Sequence, residues 1–142
     1  MRVDLRYSTP LLIVGLVMVG FGLASIRPTG PGLVVDASSK SFGEVTVGEV
    51  ASVQFTLTNR TAFPIRVVGA SETCRQGGCS KGIGLPVVVP PYGKAEVGIA
   101  VKTQSAAAYR TVLTFFTEDS RQFRLLLEMT GAIRPRPSGK SG

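Results

Sequence analysis

From Leu33 to Ile133 the chain alternates apolar and polar residues with a period of two. In Ser52–Thr58, Val53, Phe55 and Leu57 fall on one face and Ser52, Gln54, Thr56 and Thr58 on the other. Ala95–Val101 repeats the pattern with Ala95, Val97, Ile99 and Val101 inward, and Gln122–Thr130 repeats it with Phe123, Leu125, Leu127 and Met129 inward. Successive side chains of a strand point to opposite faces, so each segment predicts a half-buried β-strand. Shorter strands are predicted at Leu33–Asp36, Val45–Val47, Ile65–Ala70, Leu85–Val89 and Arg110–Thr117. Phe115–Phe116 and Pro86–Val89 break the alternation, which leaves their facing open. Seven or eight short strands, each with one polar face and separated by turn residues, predict an all-β antiparallel β-sandwich over residues 33–133.

The segment before it follows a different pattern. Residues 7–26 carry no charge, and a helix of that length spans about 30 Å, the thickness of a bilayer's hydrocarbon core. The expectation is one N-terminal hydrophobic helix ahead of the sandwich, and two readings of it stay open. In the first, residues 1–9 form a short cytoplasmic N-terminus held by Arg2 and Arg6, and residues 10–26 are a signal-anchor that crosses the membrane once. In the second, Gly22-Leu23-Ala24 is the cleavage site of a signal peptide, and the domain is released as a secreted or periplasmic protein. Both export the rest of the chain. Residues 27–32, Arg-Pro-Thr-Gly-Pro-Gly, cannot continue a helix and read as a linker. Residues 134–142 are basic and rich in Pro, Gly and Ser, and read as a disordered tail.

Charge alters this picture only once it is located. The 142 residues carry a net +7. The excess sits at the two ends, in Arg2, Arg6 and Arg27 against Asp4, and in Arg134, Arg136 and Lys140. The body is close to neutral, with no basic stripe interleaved with aromatics, so no nucleic-acid partner is expected. The chain has no histidine and no tryptophan. That rules out His-based triads and His-ligated zinc, copper or haem. No cofactor and no small-molecule substrate are expected.

Several landmarks occur together in the body: Ser41-Phe42-Gly43-Glu44-Val45, then Val47-Gly48-Glu49, then Phe55-Thr56-Leu57-Thr58-Asn59, then Pro64-Ile65, a Cys-containing loop, and Pro90-Pro91-Tyr92-Gly93. In this order they resemble the bacterial DUF1573 family, itself similar to the ASPM/SPD-2/Hydin immunoglobulin-like domains. The resemblance covers residues 33–133 and implies an immunoglobulin-like fold that is exported or anchored, without implying an activity. The tight Cys-Gly-Cys common in that family is replaced here by Cys74-Arg75-Gln76-Gly77-Gly78-Cys79. Physical readings accompany the landmarks. Asn59 can bond its own backbone two residues on and so end a strand, and Pro64 fixes φ where the next strand begins.

Cys74 and Cys79 are the one chemical feature. In an exported chain with two glycines between them they are expected to form a disulfide. A soft metal or redox site, with Met129 or Met18 as an added thioether, and a pair of reduced thiols are the alternatives. Ser80-Lys81, Glu118-Asp119 and Gly82-Ile83-Gly84 are read as turn chemistry, not as a dyad, a carboxylate pair or a phosphate loop. No enzymatic activity is expected. Prolines exclude Pro86–Val89 from the middle of a sheet, so it is expected at an edge, where strand addition is a ready recognition mode. The expected contact surface is Arg75 and Gln76 of the Cys loop with Val87, Val88 and Val89 of that edge. The expected role is a membrane-anchored module that contacts a protein partner in the cell envelope.

Overall fold

The structure, a computed structural model, describes residues 30–138. Contacts divide the chain between Gly30 and Pro31, and the fold described here is that of the second part. The N-terminal hydrophobic segment lies outside the described residues, as do the last four residues of the tail. No helix among the described residues is long and apolar enough to cross a membrane.

Ten strands form two five-stranded sheets. The first sheet contains β1 (Leu33–Val35), β3 (Val50–Asn59), β8 (Lys94–Thr103), β6 (Gly78–Ile83) and β5 (Thr73–Arg75), in that spatial order. The second contains β2 (Ser39–Thr46), β10 (Arg124–Arg134), β9 (Ala107–Thr117), β4 (Ile65–Ala70) and β7 (Val87–Val89). The expected seven or eight strands become ten because Thr73–Ile83 forms a hairpin and not an irregular loop. The expected all-antiparallel pairing also needs correcting, since β2 runs parallel to β10. The chain leaves β1 in one sheet and crosses to β2 in the other, which forces that orientation. Lys40 fastens the crossing: its ammonium donates to Asp36 at 2.5 Å and to the Gln54 carbonyl at 2.6 Å, and lies 5.4 Å from the Phe55 ring centre. Strand β10 runs to Arg134, one residue into the stretch read as tail.

The alternating faces meet in one core. Phe55, Leu57, Val97, Ile99 and Val101 of the first sheet pack against Val67, Leu113, Phe115, Leu127 and Met129 of the second, and all are essentially inaccessible to solvent. Burial of such side chains contributes roughly 1.5–3 kcal/mol each and is the main force holding the sheets together. Phe115 points inward and Phe116 is half-buried, which settles their facing. Phe123 departs from its expected inward position: it precedes β10 in the β9–β10 connection and is 57% exposed, its ring 6.0 Å from that of Phe116.

The sandwich has two poles. At the proximal pole, where Pro31 leads into β1, the chain entrance meets the β3–β4, β7–β8 and β9–β10 connections. The amide of Arg60 donates to Gly32, that of Asn59 to Gly93, that of Tyr92 to Thr61, and the Gln122 side chain brackets the backbone of Leu33. Asn59, 1% exposed, organises this pole. Its carbonyl oxygen accepts from the Thr61 amide at 2.9 Å and the Thr61 hydroxyl at 2.8 Å. Its amide donates to the carbonyls of Phe63 at 2.7 Å and Val89 at 3.1 Å. The bond to Thr61 is the local turn expected from the sequence, and the bond to Val89 joins one sheet to the other. The distal pole holds the β2–β3, β5–β6 and β8–β9 turns and the end of β10.

Candidate functional site

The β5–β6 hairpin joins its strands through Gln76 and Gly77, with Cys74 directly opposite Cys79. Two-residue connections of this kind need positive φ, and Gly77 has φ +107°. Its surroundings are equally demanding, with the Tyr109 and Ile133 side chains against it and its carbonyl accepting from the Gln104 amide at 2.7 Å. The next residue, Gly78, presses on the Lys102 carbonyl of β8, where a Cβ would collide with backbone. Ser80 donates from its hydroxyl to the Thr73 carbonyl at 3.1 Å.

The sulfurs of Cys74 and Cys79 lie at disulfide distance, with their Cα atoms 4.0 Å apart. Both thiols are therefore committed to each other. Among the described residues no three His, Cys, Asp or Glu side chains gather as a metal-holding group. The pairing register carries the row outward from Cys74 through Cys79 and Lys102 to Val50. That row forms the floor of an open depression of about 380 Å³ on the outer face of the first sheet. Val50, Ala100 and the two cysteines supply an apolar base, while Lys81, Lys102 and Glu72 surround it with charge. Val50 is 67% exposed and stands free beside the cystine. Lys102, Val50 and Ala100 were not legible as site residues, because only the β6–β8 and β3–β8 registers bring them to the cysteines, whereas Lys81, read as turn chemistry, stands two residues from Cys79 on strand β6.

The expected contact residues fall at two places. Arg75 and Gln76 are exposed on the hairpin tip at the distal pole. Val87, Val88 and Val89 form β7, an edge of the other sheet as expected, with Val89 held at the proximal pole by Asn59. The three valines differ. Val88 is 53% exposed, whereas Val89 is fully buried and its carbonyl already accepts a hydrogen bond from Asn59. The side chain of Val89 therefore belongs to the core and not to a contact surface. Pro86, after a cis peptide bond, and Pro90 and Pro91 bracket the three residues. Prolines and brevity guard a sheet edge against indiscriminate pairing. The longest edge is β2, with eight residues.

Around the proximal pole a second depression, of about 430 Å³, is lined by Phe63, Pro64, Arg66, Val88, Glu118 and Arg121 among others. Its charges are paired. Arg121 donates to both oxygens of Asp119, at 3.1 and 3.2 Å, and Arg66 approaches Glu118 at 3.8 Å. The Arg121 guanidinium and backbone amide hold the Asp119 carboxyl below its ordinary value of 3.8.

No family model matches the chain, so the DUF1573 resemblance rests on the quoted residues alone, and no curated protein matches it either. Solved structures do match in fold. The chain is similar to the ASH/PapD-like domain of human CEP192 (PapD-like domain 7), at 12% identity and a TM-score of 0.62, covering 78% of this chain and 90% of that one. It is also similar to the CupB2 chaperone of Pseudomonas aeruginosa, at 15% identity and a TM-score of 0.51 over 75% of this chain and 57% of that one. Vibrio cholerae VesB protease matches at 17% identity and a TM-score of 0.55, over 71% of this chain and 32% of the protease. At these identities the likeness establishes the class of fold, an immunoglobulin-like, PapD-like β-sandwich.

Proposed function

We propose that the chain is a non-catalytic interaction module, exported and tethered to the membrane by its N-terminal segment, that presents the β5–β6 hairpin to a protein partner in the cell envelope. The observation that carries the reading is the pinned hairpin itself. Cystine, Gly77 and Gly78 fix Arg75 and Gln76 in an exposed position beside an apolar base, so little ordering is left to oppose binding. Folds described as ASH, PapD-like and chaperone accompany it among structural neighbours and support a role in protein contact. The DUF1573 resemblance and the uncharged residues 7–26 support export and tethering. Val88 on the β7 edge is a second, smaller contact point.

The test is site-specific photo-crosslinking in the native host, with the photoreactive residue at Gln76, at Val88 or at Ser120, which is exposed on the β9–β10 connection at the opposite pole. A discrete adduct at Gln76 that disappears when Cys74 and Cys79 are both changed to serine supports the reading. Equal labelling at Gln76 and Ser120, or an adduct indifferent to the cysteines, overturns it.

A further inference from the structure

Exposed aromatic side chains are confined to one pole of the sandwich. Among the described residues the large exposed hydrophobics include three aromatics, Phe63 at 73%, Tyr92 at 72% and Phe123 at 57%. They stand on the β3–β4, β7–β8 and β9–β10 connections, all of them proximal. The first two loops are joined by the hydrogen bond from the Tyr92 amide to the Thr61 carbonyl, 3.2 Å. Tyr92 adopts φ +52°, the only non-glycine residue with positive φ among those described. A bulky residue held in that region needs compensation from its surroundings. No burial compensates here, since the ring is presented to solvent. The basic residues of this pole complement the aromatics. Arg60, Lys94 and Arg124 are exposed and make no ion pair among the described residues, while Arg121 and Arg66 neutralise Asp119 and Glu118.

Tyrosine is among the side chains that settle at the boundary between headgroups and acyl chains, and phenylalanine is among those that surface-bound segments bury there. Basic residues beside them are drawn to anionic headgroups. The pole that carries both is the pole at which Pro31 begins the fold. Residues 27–32 alone separate the uncharged run from it, and six residues reach no more than about 20 Å.

We infer that the proximal pole seats on the anionic surface of a bilayer, with Phe63 and Tyr92 at the headgroup boundary and Arg60, Lys94 and Arg124 on the phosphates. The seating rests on the tethered reading above. It turns the hairpin, at the distal pole, away from the membrane and toward the envelope.

The absence of tryptophan makes the test direct. Full-length chain carrying Phe63→Trp, Tyr92→Trp or Ser105→Trp is reconstituted into vesicles of phosphatidylglycerol and brominated phosphatidylcholine, and into vesicles of brominated phosphatidylcholine alone. Circular dichroism confirms folding of each variant, and flotation reports membrane association. The expected result is blue-shifted emission quenched by roughly half at positions 63 and 92 in the anionic vesicles, weaker quenching in the neutral ones, and none at position 105. A chain that floats with all three positions equally unquenched overturns the seating and leaves the tether standing. Quenching at 63 and 92 that is the same with and without phosphatidylglycerol overturns the role given to the basic residues. A chain that does not float overturns both the tether and the seating.

Discussion

Asn59 offers the sharpest test of how the proximal pole is held. Asn59→Asp keeps the shape of the side chain but replaces its two N–H donors by an oxygen, so the buried Val89 carbonyl loses the Asn59 donor, while the Phe63 carbonyl keeps the Thr61 hydroxyl at 2.9 Å and the bond from the Thr61 amide persists. A buried acceptor left unsatisfied costs about 1–3 kcal/mol and a bond lost from an acceptor that keeps another donor about 1 kcal/mol, so the variant is expected to lose about 3 kcal/mol at pH 7. Protonation returns one donor. A carboxyl buried against two carbonyls is held above its ordinary range, so the folded variant keeps its proton to higher pH than the unfolded chain does. The penalty is therefore largest above the folded value and shrinks as pH falls toward the unfolded value near 3.9, by about 2 kcal/mol for the recovered bond. Urea denaturation followed by far-ultraviolet circular dichroism measures this as a difference from the wild type at pH 7 and pH 4. Asn59→Ala, which cannot titrate, serves as the control and is expected to show a pH-independent difference. A penalty under about 1 kcal/mol at pH 7, or one that is the same at both pH values, refutes the account of Asn59 as the bond between the sheets.

Replacing Cys74 and Cys79 together by serine is expected to lower stability by about 2 kcal/mol, the chain-entropy figure for so short a loop, without unfolding the sandwich; calorimetry checks this. Gly78→Ala and Gly69→Ala are expected to differ in sign. The first drives a Cβ into the Lys102 carbonyl and destabilises, whereas the second meets open space at ordinary φ and is neutral or stabilising by up to about 1 kcal/mol; paired urea midpoints decide it. Asp36, Glu44, Asp119 and Glu128 are all held below their ordinary values, chiefly by side-chain hydrogen bonds from Lys40, Arg134, Arg121 and Arg110 respectively. Carboxylates lowered on folding contribute stability above the unfolded values of 3.8 for Asp and 4.5 for Glu, and that contribution is lost as pH falls below them. Thermal scans are expected to show a falling midpoint on the acid side, and added salt is expected to reduce the drop because the Lys40–Asp36 and Arg134–Glu44 pairs are open to solvent.

The long strands were legible because burial on one face writes itself into every second residue. Val53, Phe55 and Leu57, like Leu125, Leu127 and Met129, point inward as their spacing predicts. The glutamate and aspartate at 118 and 119 fall in the β9–β10 connection, as turn chemistry requires. What escaped were elements set by partners and not by pattern. Thr73–Arg75 and Gly78–Ile83 hold few good strand formers and become strands because β8 supplies hydrogen bonds and Gly78 permits the approach. Ser39–Thr46 is mostly polar, with only its end foreseen, because it lies on an edge and pairs in parallel with a strand some ninety residues away. Phe123 was misplaced because alternation was extended two residues ahead of the strand, which begins at Arg124, into the β9–β10 connection. The two cysteines were visible as a pair. Lys102 and Val50 beside them were not, since nothing local in the chain encodes which strand becomes a neighbour.

The parallel pairing of β2 with β10 has a mechanical consequence. Both strands run from the proximal toward the distal pole, so a pull applied backward on β2 and forward on β10 slides one along the other. The hydrogen bonds from Ser39–Glu128 to Thr46–Arg134 then bear load together and do not open one at a time, and the Glu44–Arg134 ion pair lies within the same seam. Antiparallel neighbours joined by a turn peel like a zip, but this seam has to rupture as a whole. Force that enters β2 from the start of the fold and leaves through the C-terminal end of β10 thus meets a seam that yields late and abruptly, as a clasp under tension.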